Sequence, residues 1–89
     1  MAKVTKEVTI KNPQGLHARP AALFVQIASK YNSNVTIQKD SEKINGKSIM
    51  GILTLGALYN STVILEVEGE DAPRAMEELE ALLTKDQPS

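Results

Sequence analysis

The first and last helical segments of this chain are apolar on one side only, and the extended segments alternate between apolar and polar residues. With 89 residues and no cysteine, the chain must hold itself together with a single shared core and no disulfide or thiolate metal site. Elements with one greasy side can satisfy that demand by stacking helices on one face of a sheet.

Along the chain, Val4, Val8 and Ile10 share one face of a strand and Thr5, Glu7 and Thr9 the other. Lys6 is the mismatch on the inner face. Asn12 to Gly15 reads as a turn. Phe24, Ile27, Ala28 and Tyr31 follow helical spacing over 18–31, widened by Leu23, with Pro20 in the first turn. Val35 and Ile37 mark a second strand, paired in a hairpin with a short third one at Lys43 to Asn45. Ser48 caps a short helix to Leu55, and Val63, Leu65 and Val67 mark a fourth strand. Asp71 is the expected N-cap of a last helix, whose stripe is Ala72, Ala75, Met76, Leu79, Leu82 and Leu83. Glu77, Glu78 and Glu80 are read as its solvated face, and Asp86 to Ser89 as a frayed tail.

The order β-α-β-β-α-β-α predicts one α/β (α+β) domain over 1–89. It is an open-faced two-layer sandwich, a four-stranded antiparallel sheet with three helices on one face. A net charge of −1, without basic clusters or stacking aromatics, argues against nucleic acid. No apolar run approaches a membrane span and the N-terminus has no apolar signal region, so the expected compartment is the cytoplasm. One histidine and no cysteine make a metal site an unsuitable reading, and no cofactor is implied.

That single histidine, His17, stands at the start of the first helix, two residues before Arg19. A neutral imidazole is a good nucleophile toward phosphorus, and a helix N-terminus is a natural anion site. Arg19 adds a fixed positive charge for phosphate oxygens, and the free N–H groups of the first turn, at Ala18 and Arg19, add donors. Gly15 lets the backbone take a shape that exposes the ring. Gly46-Lys47-Ser48 looks like the end of a phosphate-binding loop, but the earlier glycine that such a loop needs is replaced by Ser41. With no nucleotide fingerprint, the phosphoryl group must come from another protein. The second helix carries more apolar residues than one face can bury. Ile52 and Leu55 are the core choices, and Ile49, Met50 and Leu53 form a candidate exposed docking patch.

The hexapeptide Gly15-Leu16-His17-Ala18-Arg19-Pro20, the segment Lys47-Ser48-Ile49-Met50-Gly51 and the segment Leu55-Gly56-Ala57 resemble HPr, the histidine-containing phosphocarrier of the bacterial sugar phosphotransferase system. The resemblance covers nearly the whole chain in matching order. It implies a carrier rather than an enzyme: His17 receives a phosphoryl group from phosphoenolpyruvate by way of enzyme I, on Nδ1, and passes it to IIA domains of sugar permeases. It also implies that the helix beside the histidine docks these partners. In similar proteins the serine matching Ser48 is a substrate of an ATP-dependent HPr serine kinase. A phosphate there would add about two negative charges beside the docking surface and antagonise transfer. Two alternatives share the resemblance. One is a regulatory module that binds a transcriptional regulator through Ser48 and the Ile49/Met50 patch. The other is the nitrogen-related branch of the same system. Regulatory relatives lack the histidine that this chain keeps. A carrier that must expose one site is most simply a monomer.

Overall fold

The computed structural model describes residues 2–85; the tail read at Asp86 to Ser89 lies outside them. Four strands and three helices follow in the expected order: β1 (Lys3–Thr9), α1 (Ala18–Ser29), β2 (Asn34–Lys39), β3 (Glu42–Asn45), α2 (Ile49–Leu55), β4 (Thr62–Glu68) and α3 (Ala72–Thr84). The strands form one antiparallel sheet in the order β1-β4-β2-β3. Pairing is fixed by the two-residue period of the side chains. Val67 of β4 lies between Val4 and Val35, and Leu65 between Lys6 and Ile37, so one face is apolar throughout except at Lys6. The other face sets Glu66 between Thr5 and Thr36, and Glu68 between Lys3 and Asn34.

Helices α1, α2 and α3 cover the apolar face. Phe24, Ile10, Ile37, Ile52, Leu65 and Leu79 are fully buried between the layers. On the open face, Lys3 and Lys43 both reach Glu66, at 3.5 and 3.8 Å. These exposed pairs contribute little beyond solubility. Lys6, the inner-face mismatch, is resolved by its length: its Nζ donates to Glu80 of α3 at 2.8 Å, at the rim of the core.

Several expectations are corrected. Helix α1 ends at Ser29 rather than Tyr31, because the chain must turn at 30–33 to enter β2. Leu23 does not widen the buried stripe; it is exposed, and α1 buries Pro20, Ala21, Phe24 and Ala28 instead. The glutamates of α3 are not a uniformly solvated face. Glu80 holds Lys6, while half-buried Glu78 accepts from Tyr31 Oη and pairs with Lys30 Nζ at 3.0 Å. The Tyr31 hydroxyl, and then the Lys30 ammonium, hold the Glu78 carboxyl below its ordinary range, and the same bond raises the Tyr31 phenol.

Asp71 stands at the N-cap position of α3, but its side chain does not cap the helix. It accepts from the hydroxyl of fully buried Ser33 and from the backbone N–H of Asn32 at 3.2 Å, and so bolts the turn after α1 to the start of α3. The Ser33 hydrogen bond is the main cause that holds its carboxyl below the ordinary 3.8, helped by the Asn32 N–H and opposed by desolvation. A folded-state value below the unfolded one gives stability that is present above about pH 3.8 and is lost as pH falls through the lowered value. The variant Asp71→Asn is therefore expected to melt lower at neutral pH and to lose less on acidification. Thermal melts from about pH 7 to about pH 2 check this; parallel curves for the two proteins would contradict it.

Candidate functional site

The β1–α1 connection is built to turn one residue inward and the next outward. Gly15 has φ +71°, a left-handed conformation that favours glycine. A Cβ at this position would lie 2.5 Å from the Ala57 carbonyl oxygen and 3.0 Å from Leu58 Cα, so the loop presses against the backbone that follows α2. The Leu16 N–H donates to Ala57 O at 2.9 Å, and the Leu16 side chain is buried. Behind it, the Lys11 N–H donates to Leu83 O at 2.8 Å and Asn12 Nδ2 to Leu82 O at 3.3 Å, which ties the same loop to the last turn of α3. With Leu16 pinned inside, His17 emerges at the surface.

His17 is the N-cap of α1, with extended backbone angles, and its carbonyl accepts from the Ala21 N–H at 3.0 Å. The imidazole makes no capping hydrogen bond and is half-exposed. The helix starts with Ala18 and Arg19, whose N–H groups precede the first intrahelical donor, and then Pro20, which has none. No acidic residue occupies this first turn. Arg19 is exposed and enters no ion pair among the described residues. One turn of chain thus carries the half-exposed imidazole, two amides that precede the first intrahelical donor and an exposed, unpaired Arg19, a set of groups suited to a dianion.

Ser48 is the N-cap of α2: its Oγ accepts from the Gly51 N–H at 3.1 Å, as the sequence reading expects. Ile52 and Leu55 are buried, while Ile49, Met50 and Leu53 are exposed. The two helices run in opposite directions. The start of α1 lies against Ala57, just beyond the end of α2, whereas Lys47, just before α2, donates from Nζ to Tyr31 O at the far end of α1 at 2.8 Å. His17 and Ser48 therefore stand at opposite ends of α2, about 10 Å of helix apart. The structure does not bring them together; it strings Ile49, Met50 and Leu53 along the surface between them. Leu23 of α1 and Leu58 after α2 are also exposed, and the sequence reading did not include them in the patch.

Residues 4–85 match the family model described as PTS HPr component phosphorylation site. The chain belongs to the HPr family. It is 48% identical over 83 residues to the HPr-like protein Crh of Halalkalibacterium halodurans, covering 93% of this chain and 99% of that one. Its structure resembles that of the phosphocarrier protein HPr from Bacillus anthracis, with 43% identity, a TM-score of 0.89, and 93% and 99% of the two chains covered. It also resembles Crh of Bacillus subtilis, described as a domain-swapped dimer, with 41% identity, a TM-score of 0.76, and 97% and 99% covered. The four-stranded antiparallel sheet with three helices is the HPr fold, and the phosphotransferase system is the family's setting. Proteins described as phosphocarrier HPr and proteins described as HPr-like Crh are thus both among its relatives. Among the described residues, no helix is long and apolar enough to cross a membrane.

Proposed function

We propose that this chain carries a phosphoryl group on His17, taken from phospho-enzyme I and given to IIA domains of sugar permeases in the cytoplasm. The observation that carries the reading is the half-exposed His17 ring that makes no capping bond at the start of α1, in the same turn of chain as the Ala18 and Arg19 amides and the exposed Arg19 side chain. In the reaction, Nδ1 attacks phosphorus and the P–N bond forms as the bond to the donor atom breaks; Nε2 keeps the remaining proton. The incoming dianion meets the α1 N-terminus and Arg19, which hold it without enclosing it. A surface site of this kind stays open to a second protein, as a carrier needs. The test of onward transfer is label movement. Phosphorylated chain, freed of enzyme I and mixed with a purified IIA domain, should hand over its radiolabel within the mixing time. Label that stays on the chain would reject the carrier reading.

Ser48 supports a second, regulatory role, and the 48% identity to an HPr-like Crh protein favours considering it. A phosphate added by an HPr serine kinase would sit at the N-cap of α2, at one end of the Ile49, Met50 and Leu53 surface. It would change docking of enzyme I by charge and would offer a transcriptional regulator a new anionic contact. Ser48→Asp mimics part of that charge. We expect it to slow phosphoryl transfer from enzyme I roughly tenfold, equivalent to ~1.4 kcal/mol of docking and barrier together. Stopped-time transfer assays read this, and an unchanged rate would remove Ser48 from the account. A monomer leaves His17 and this surface free. The swapped dimer described for the Bacillus subtilis Crh is the alternative assembly, and sedimentation distinguishes the two.

A further inference from the structure

The chain has no cysteine, so its oxidisable sulfur lies entirely in the thioethers of Met1, Met50 and Met76. Met1 lies outside the described residues. The other two stand in opposite surroundings. Met76 is 2% exposed, in the buried stripe of α3, whereas Met50 of α2 is 67% exposed. The short helix leaves Met50 no cover. Ile52 and Leu55 take its buried side, and Gly51 turns toward β3, where a Cβ would lie 3.4 Å from Ile44 Cβ. The Thr54 hydroxyl donates to the Met50 carbonyl at 2.7 Å, one turn further on, so the backbone is held where it is. An oxidant in water reaches the Met50 thioether without opening the fold, and reaches Met76 only by opening it.

The chemistry of the product gives this exposure a consequence. A thioether is apolar and adaptable, and suits an apolar contact. A sulfoxide carries a strong dipole and an acceptor oxygen. Covered by an apolar surface, that oxygen loses its water and gains no donor, which costs binding. Met50 stands between exposed Ile49 and Leu53, on the surface strung from Ser48 toward His17. Oxidation there changes the chemistry of the surface and leaves the core, which holds Met76, untouched.

We propose that Met50 is an oxidation site, converted to its sulfoxide by hydrogen peroxide ahead of Met76, and that the sulfoxide slows phosphoryl acceptance at His17 by weakening the docking of enzyme I. The inference rests on the carrier reading and adds to it a reversible control that touches neither His17 nor Ser48. In the forward step the Met50 sulfur attacks one peroxide oxygen. The S–O bond forms as the O–O bond breaks, and the other oxygen takes the remaining proton and leaves as water. Sulfur is oxidised by two electrons and the peroxide is reduced. In the reverse step a methionine sulfoxide reductase oxidises a dithiol to a disulfide, and the sulfoxide oxygen leaves as water.

The test starts from the folded chain at neutral pH, treated with hydrogen peroxide and freed of it before enzyme I is added. Peptide mapping should find one added oxygen on Met50 at a rate roughly tenfold or more above that on Met76. In the treated chain, the second-order rate constant for transfer from phospho-enzyme I should fall roughly tenfold with an unchanged melting midpoint. The two epimer-specific reductases, with a dithiol, should restore it. The variant Met50→Leu has its own starting rate, and peroxide should leave that rate as it was. Equal oxidation of Met50 and Met76 would overturn the proposal. So would a treated parent that transfers at its untreated rate, a fall matched by a lowered melting midpoint, or a treated Met50→Leu that slows as much as the treated parent. Each of those results leaves the carrier reading standing. An untreated parent that accepts no phosphoryl group would overturn the carrier reading and this proposal with it.

Discussion

Alanine at His17 is expected to abolish phosphoryl acceptance altogether while leaving the fold intact. The ring is the sole imidazole in the chain. It makes no capping hydrogen bond, and the helix start depends on the His17 carbonyl, which alanine retains. Since the His17 side chain forms no cap bond that alanine would lose, the cost to stability should stay within about 0.5 kcal/mol, the range of surface substitutions that break no cap bond or core contact. Transfer from phospho-enzyme I, by contrast, has no other nucleophile beside the Ala18 and Arg19 amides. Radiolabel incorporation at background level, with an unchanged melting curve, is the expected pair of results. Stable incorporation by the variant would move the acceptor elsewhere.

The second large effect is structural. Phe24→Ala should destabilise the protein by ~3–5 kcal/mol. Phe24 is the only phenylalanine and is fully buried. It lies where α1 crosses the chain entering α2: a Cβ placed on Gly46 would meet its ring at 3.1 Å and Val35 Cγ1 at 2.5 Å. No side chain at position 46 can move in to fill the vacated space, so the cavity would persist. Small domains have about 5–15 kcal/mol in total and shift by about 4–8 °C per kcal/mol, so the melting midpoint should fall by at least ~12 °C. A loss under ~1 kcal/mol in denaturant unfolding would show that the layers close over the gap. Because Phe24 joins the helix that begins at His17 to the segment that leads to Ser48, the variant also tests whether both ends of the site share one core.

Much of this was legible in the residues because the period of two in the strands and the one-sided stripes of the helices leave little choice of layer. The alternation of Val63, Leu65 and Val67 identified the central strand's buried face, and Ile52 with Leu55 separated the core side of α2 from the Ile49, Met50 and Leu53 side. What was not legible depends on tertiary partners. Asp71 has the residue type and position of a cap, yet its carboxylate prefers Ser33 and Asn32, 38 and 39 residues away in sequence. Leu23 fits the α1 stripe by spacing but stays exposed, the buried side being taken by Pro20, Ala21, Phe24 and Ala28. Lys6 is out of place on its own strand and makes sense only through its pairing with Glu80 of α3. The separation of His17 from Ser48 follows from the opposed directions of α1 and α2, which no local pattern encodes.

The most direct measurement is the intact mass of the chain at neutral pH after incubation with phosphoenolpyruvate, magnesium and purified enzyme I. The expected result is a gain of one phosphoryl mass that disappears on brief acid treatment, as a P–N bond requires, and that never appears in His17→Ala. A folded chain that gains no mass, or one whose added mass survives acid, would contradict a phosphoryl group carried on His17.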